Sequence, residues 1–465
     1  MEPIPMIKDK RSFVSTRNAC KLCSPLGASV ALKGIEGCVP VIHGSQGCAT
    51  YIRRYMISHY KEPVDIASSN FSEETTIFGG VQNLKIALKN VINQYRPQAI
   101  GIATTCLSET IGEDVNLLLH QIKSELHEAS WPALFSVSTP SYQGTHMDGF
   151  HATVFEVLKH FTLKMDKLDK INLFPGFVSP ADIRHLKEIC SDFGLDATVL
   201  PDYSTALDNP VWNHYHRIPQ GGTPLNEVKT CGGAYASLEL GAFCEVRQGG
   251  KSDGETVSPA MWLEKEHDVQ RFASILPIGV NSCDAFFDKL QKLSGKALPE
   301  KYEDERGRLL DAYADGHKYV FGKKAVVYGE EDFVLGLCSF LDEIGIQVVV
   351  AASGANTGKL QQKIKEHCPV HADTIKVMSD ADFEVINEIS HDLKPDIIIG
   401  NSKGYYIARN LDIPMVRVGF PIHDRLGGQR ILHLGYRGTQ NLFDTIANAL
   451  IDYKQSHSPI GYKYM

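Results

Sequence analysis

The chain has 465 residues, with 47 Lys and Arg against 55 Asp and Glu and a formal charge of −8. That length exceeds a single hydrophobic core and predicts two to four domains, and the acidic balance excludes a general nucleic-acid binder, which needs a basic field. No apolar run approaches the roughly 18 residues of a membrane span, and the opening "MEPIPMIKDKRSF" has no apolar signal core. The expectation is a cytoplasmic protein that binds neither membrane nor nucleic acid.

Along the chain one unit recurs: a β-branched run, a small or polar turn, then an amphipathic helix. "QAIGIATTCLSETIGEDVNLLLHQI" reads as a strand, a turn at Thr105–Cys106 and a helix, and "KINLFPGFVSPADIRHLKEIC" repeats it. In the second, Ser179 is the N-cap and Pro180 the first helical residue. "KAVVYGEEDFVLGLCSFLDEIGIQVVVAAS" gives strand, turn, helix and strand, a βαβ signature, and "PDIIIGNSKGYYIARNLDIPMVRVGF" gives another. Strands that alternate with helices and are apolar throughout predict mostly parallel, doubly wound sheets of the α/β class. Dense charge at Lys167–Lys170 and between Pro299 and Lys324 marks the expected boundaries, giving domains at 1–168, 169–320 and 321–465. Ligands of such sheets sit where strands end, which singles out Cys106, Gly329, Ser402 and "GFPIHDRLGG".

Eleven cysteines in a long chain without a signal core do not suggest a disulfide framework. Cys190, Cys338 and Cys368 lie in helical or helix-end sequence and read as buried small hydrophobes, as does Cys38 in "EGCVPVI". Cys20 and Cys23 form a CxxC, but no second pair with zinc spacing accompanies it and no strand precedes it, so zinc or dithiol chemistry is disfavoured. Cys23 in "KLCSPLGA", Cys48 at the end of the bend "HGSQGC" and Cys106 at a strand end are different, since all three belong to loops that can converge. Thiolates on loops with Gly44 and Gly47 suit an iron–sulfur cluster, which needs close backbone approach and N–H donors. Intervals of 25 and 58 residues match no compact ferredoxin motif, so three unrelated buried thiols remain the alternative.

Other motifs exclude more than they suggest. GxxxxGK[ST], GxGxxG after a strand, GxSxG and HExxH are absent, which argues against a P-loop ATPase, a dinucleotide dehydrogenase, a serine hydrolase and a zincin. "GGKSDGE" at 249–255 reads as a solvated loop, and Ser72 to Glu74 as a capped first helical turn. His43, His59, His146, His423 and His433 read as hydrogen-bonded structural histidines.

"HGSQGC", "SHYKEPVDIASSNFSE", "FGG", "TTCLSETIGED" and "STPSYQGTHMDGF" together resemble the β-type subunits of nitrogenase component 1. The resemblance continues through "PGFVSPADIRHLKEI", "ERGRLLDAYADGHKYVFGKK" and "RVGFPIHDR", so it covers nearly the whole chain. It implies three Rossmann-like domains and an α2β2 heterotetramer with an α-type partner. It also implies an iron–sulfur cluster at the subunit interface, either [8Fe-7S] P-cluster type or [4Fe-4S]. By motif the ligands on this side are Cys23, Cys48 and Cys106, and Ser141 matches a serine that ligates the oxidised eight-iron cluster. An ATP-dependent iron protein is the implied transient electron donor.

Within the family, "DRLGGQRILHLGYRGTQNLFDTIANAL" and the ending "SPIGYKYM" resemble the N subunit of the iron-molybdenum cofactor scaffold, and Cys23 follows the start of the chain closely. The expectation drawn from these is a subunit acting in cofactor biosynthesis. The alternative is the electron-relaying β chain of the molybdenum-iron protein or of a nitrogenase-like reductase, which retention of all three cysteines and Ser141 favours.

Overall fold

A computed structural model describes residues 18–125, 131–247 and 256–459; the 249–255 loop lies outside them. Thirteen of the strands build three parallel sheets. The first contains β1 (Cys38–His43), β2 (Ala67–Ser68), β3 (Ala99–Thr104) and β4 (Ala133–Val137) in the order β2-β1-β3-β4. In the second, β5 (Leu168–Phe174), β6 (Ala197–Val199), β7 (Ala234–Leu240) and β10 (Gln270–Ser274) lie in the order β10-β7-β5-β6. A short antiparallel ribbon of β8 (Val246–Arg247) and β9 (Thr256–Val257) is inserted before β10. The third contains β11 (Lys324–Gly329), β12 (Gln347–Ser353), β13 (Lys376–Met378), β14 (Ile397–Gly400) and β15 (Met415–Arg417), ordered β13-β12-β11-β14-β15. Every ladder in the three sheets is parallel. The α/β class follows from strands such as "AIGIAT" being buried along their whole length, with helices on both faces.

Local chemistry sets the boundaries where the sequence placed them. Thr105 caps the Cys106–Thr110 helix in a reciprocal box with Ser108, and Ser179 does the same with Asp182 ahead of Pro180. The charge-dense stretch after Pro299 is not a linker. It is the 21-residue helix Glu300–Val320, which buries Tyr302, Leu309 and Val320 and packs on the long Gly435–His457 helix near the end of the chain. Its charges occupy the outer faces of a helix whose inner stripe is apolar.

One continuous hydrophobic cluster runs from Leu26 through Ile171 and Leu238 to Val327 and Phe443, so the three sheets share a core. Buried polar contacts join them at defined points. Asp182 accepts from the N–H groups of Ser179, His433 and Leu434 at 3.1, 2.7 and 3.0 Å and faces His433 Nδ1 at 2.9 Å. Burial opposes its charge, but His433 and these donors outweigh that and hold the carboxyl below its ordinary range. His146 Nε2 lies 2.9 Å from Glu330 Oε1, and His59 Nδ1 accepts from Ile422 N–H at 2.9 Å. The histidines read as structural at 59, 146 and 433 are thus the joints between first, second and third sheets. Among the described residues no helix is long and apolar enough to cross a membrane.

Candidate functional site

All eleven cysteines are free, and eight are buried; the three that are not are Cys23, Cys48 and Cys106. Cys190, Cys338 and Cys368 are 2%, 0% and 0% exposed and Cys38 is 1%, so their reading as core residues agrees with their packing. The CxxC pair is split. Cys20 is buried under the third sheet, where burial first and then Glu330 push its thiol up to about 12, while Cys23 opens to solvent.

The order of the first sheet reverses direction between β1 and β3, and a crevice opens at the carboxyl ends of strands at such a point. Cys48 follows β1 and Cys106 follows β3. Cys23 arrives from the other side, as N-cap of the Ser24–Lys33 helix, which packs against the His146–Phe161 helix. Cys48 lies in the first turn of the Gln46–Tyr60 helix and Cys106 opens its own short helix. Each thiol therefore sits at a helix N-terminus, where the partial positive charge of unpaired N–H groups favours a thiolate over a thiol.

Ser141 links the Cys106 and Cys23 segments. Its N–H donates to Cys106 Sγ at 3.2 Å and its Oγ accepts the N–H of Ser24, next to Cys23, at 3.1 Å. The thiols also sense one another. Desolvation raises Cys23 to about 11, Leu26 N–H opposing and Cys48 adding; desolvation first and Cys106 second raise Cys48. Among the described residues these three do not form a group whose donor atoms all lie within 4.8 Å of one another.

The two glycines of the bend behave differently. A Cβ at Gly44 would stand 2.2 Å from Thr105 Oγ1, so the protein's own packing requires this glycine. At Gly47 a Cβ would meet only Ser45 Oγ at 3.5 Å, and the residue is exposed. Neither supplies a donor to sulfur: Gly44 N–H is engaged by Ser69 Oγ at 3.0 Å and Gly47 N–H by Ser45 Oγ at 3.2 Å. The N–H donor expected from that bend is instead Ser141. Behind the bend, His43 lies between Ser69 Oγ at 3.1 Å and Glu113 Oε2 at 2.5 Å. Burial disfavours the Glu113 carboxylate, yet His43 and Gly80 N–H lower its pKa.

Large apolar side chains are exposed around these residues, which sequence reading alone did not find. Tyr51 lies one helical turn beyond Cys48 and is 62% exposed; Tyr142 follows Ser141 at 59%. Ile77 and Phe78, at the end of a helix tied to His43 through Gly80 and Glu113, are 75% and 79% exposed. Exposed apolar side chains near a group of unburied thiols are what a protein-interaction surface would use. The strand ends of the third sheet are closed by comparison: Ser402 Oγ donates to Asp424, which Arg417 grips at 2.6 and 2.9 Å.

Parallel sheets that carry three unburied thiols at helix N-termini are a setting in which a metal cluster could be held. The family model for nitrogenase component 1 type oxidoreductases matches residues 23–451, and the chain belongs to that family. Within it the chain is a β-type subunit. The molybdenum-iron protein β chain of Methanothermobacter thermautotrophicus is 35% identical over 100% of this chain and 99% of its own length. That of Clostridium pasteurianum is 35% identical over 94% and 93%, and the vanadium-iron β chain of Trichormus variabilis 33% over 95% of each. A chain of the solved nitrogenase Cp1 at pH 6.5 superposes with a TM-score of 0.92 at 33% identity, covering 98% of both chains. These relatives favour the electron-relaying alternative over the scaffold expectation. The Methanothermobacter β chain is matched over nearly its whole length, so the nearness of Cys23 to the start of the chain does not separate the two.

Proposed function

We propose that this chain is the β chain of a molybdenum-iron type nitrogenase component 1. It pairs with an α-type partner as an α2β2 heterotetramer, shares an iron–sulfur cluster with that partner, and takes electrons from an ATP-dependent iron protein. The observation that carries the reading is that the three cysteines left unburied are the three matched by motif, with Ser141 linking the Cys106 and Cys23 segments.

The residues fit such a group as half a ligand set. Cys23, Cys48 and Cys106 would supply thiolates and Ser141 Oγ an oxygen donor, with a P-cluster type centre the better match to four donors. Bound there, the cluster supplies low-potential one-electron transfer. The chain's own contribution is electrostatic and steric. Helix N-termini at Cys23 and Cys48 offset the anionic charge, and the Ser141 N–H donates to a ligand sulfur, which raises the potential relative to an unbonded thiolate. Both raised thiols have to shed their protons to serve as ligands, so ligation releases protons and weakens as pH falls. Tyr51, Tyr142, Ile77 and Phe78 would exclude water from the joint once the partner covers them. The domains are proposed at 1–168, 169–320 and 321–465, one sheet to each.

The test is reduction of dinitrogen and acetylene by the anoxically purified complex of this chain with its α-type partner, given iron protein, ATP and reductant. Dinitrogen reduction is the expected result. No dinitrogen reduction, with activation of a cofactor-deficient component 1 by molybdate and homocitrate, would overturn it in favour of the scaffold.

A further inference from the structure

Away from the thiol face, His151, Cys244 and Asp332 meet in the interior. Each offers a donor atom within 4.8 Å of the other two, and among the described residues this is the one group of three metal-ligating side chains so close. All three are at least nine-tenths buried, at 4%, 5% and 6% exposure. They come from three places: the His146–Phe161 helix beside the first sheet, the turn after β7 in the second, and the Glu331–Glu343 helix of the third.

Three further observations bear on this group. His151 Nε2 is buried with no hydrogen-bond partner, although an orphaned buried nitrogen costs about 1–3 kcal/mol. Asp332 is oriented through one oxygen only: its Oδ1 accepts from Ala242 N–H at 2.5 Å and Phe243 N–H at 3.3 Å. Between its Oδ2 and Cys244 Sγ lies Gly241, at φ +128°, where a Cβ would stand 2.5 Å from the sulfur and 2.8 Å from the oxygen. A small cavity of about 10 Å³ touches both His151 and Cys244. A larger cleft of about 1050 Å³ between the second and third sheets reaches Gly241, Ala242 and Cys244.

We infer that His151, Cys244 and Asp332 form a binding site, within this one chain, for a single divalent transition-metal ion of borderline softness, with Zn²⁺ as the reference ion. One nitrogen, one sulfur and one carboxylate oxygen are the donors such an ion takes. Bonds of ~2.0–2.3 Å put tetrahedral donors roughly 3.5 Å apart, so atoms now within 4.8 Å draw in by roughly 1.3 Å at most. The charge balances. The ion displaces the Cys244 S–H proton and, when present, the Asp332 carboxyl proton to solvent, leaving M²⁺ with one thiolate and one carboxylate, neutral overall in a buried site. The Glu239 carboxylate nearby stays out of the set, held by Ser258 Oγ at 2.8 Å, Arg271 Nε at 3.0 Å and Ala260 N–H at 3.2 Å. The bound ion would pin the three sheets to one another.

The test uses the full chain in complex with its partner, loaded with Zn²⁺ and desalted. Metal content and zinc K-edge absorption are then measured on the wild type and on His151→Gln, Cys244→Ser and Asp332→Asn. About one zinc per chain is expected, with a single sulfur and otherwise nitrogen and oxygen neighbours. Each variant should lose at least about fivefold of it and lose the rise in Tm on zinc addition. Asp332→Asn keeps the Oδ1 acceptor, and metal-free Tm of each variant separates loss of zinc from loss of fold. Substoichiometric zinc in the wild type, zinc retained in His151→Gln, or two or more sulfur neighbours would overturn the site, the last placing the ion on the exposed thiols.

Discussion

The chain holds two thiol-bearing clusters, and they differ in almost every physical respect. Cys23, Cys48 and Cys106 are spread over a solvent-facing surface at helix N-termini, rimmed by exposed Tyr51, Tyr142, Ile77 and Phe78. His151, Cys244 and Asp332 are enclosed, close together and held by the core of three sheets. On the reading proposed here the open half-set of ligands needs a second chain to complete it, whereas the enclosed set draws its protein donors from one chain. Metal at the first should therefore depend on partner assembly, and metal at the second should not.

The largest effect that separates them is expected from Cys48→Ala. Removing this ligand should abolish interface iron and reduce electron transfer on the order of 100-fold or more, judging that even supporting residues of metal sites are worth 10–100-fold. Zinc at His151–Cys244–Asp332 should be unchanged. Iron analysis and substrate reduction on the same preparation test both halves, and full iron content would remove Cys48 from the ligand set.

Next in size is the buried joint at Asp182. Asp182→Ala leaves His433 and three N–H donors without their acceptor and should cost about 3–5 kcal/mol, read by denaturant unfolding. Its pH dependence has a definite sign. The folded carboxyl is held below its ordinary range, so its contribution is present above the unfolded pKa near 4 and is lost as pH falls through the lower folded value. Asp182→Asn should flatten the loss of stability below roughly pH 4, as pH falls through the lowered folded value. An identical acid profile in the variant would assign that loss elsewhere.

Phe78→Ser probes the open face alone. Truncating an exposed aromatic anchor should weaken association with the α-type partner by about 1–2 kcal/mol, measured by sedimentation, while Tm of the isolated chain stays level. A fall in Tm with unchanged association would mean that Phe78 packs within the chain. The smallest contrast is between the two glycines of the bend. Gly44→Ala runs into Thr105 and should cost about 1–3 kcal/mol. Gly47→Ala lies in a helical first turn with open space and should gain about 0.5 kcal/mol in fold stability. Any penalty at Gly47 that appears only in the complex measures how closely the partner or cluster approaches.

Much of the architecture was legible before the coordinates. "AIGIAT" became β3, Thr105 and Ser179 became caps, and "KAVVYG" with its following helix and "QVVVAAS" became β11 to β12. These are local events, governed by backbone sterics, apolar periodicity and one side chain capping one helix. The stretch from Pro299 to Lys324, read only as lacking strand character, holds a helix that its dense charge concealed, because charge covers the outer faces of a packed helix as it covers a loop. The expected sulfur donor was misplaced for a related reason, since glycine shows where a backbone can approach but not which N–H is already engaged.

Sequence by itself therefore determined the α/β class, the strand-to-helix units, and the three cysteines whose neighbouring residues differ from those of core thiols. Tertiary structure alone decided that these thiols are the ones left unburied, that Ser141 links the Cys106 and Cys23 segments, and that His151, Cys244 and Asp332 meet at all. The members of that last cluster are separated by tens of residues and lie on elements of three different sheets. Their proximity is produced by packing those sheets around one core, which leaves no trace in the spacing of a linear chain.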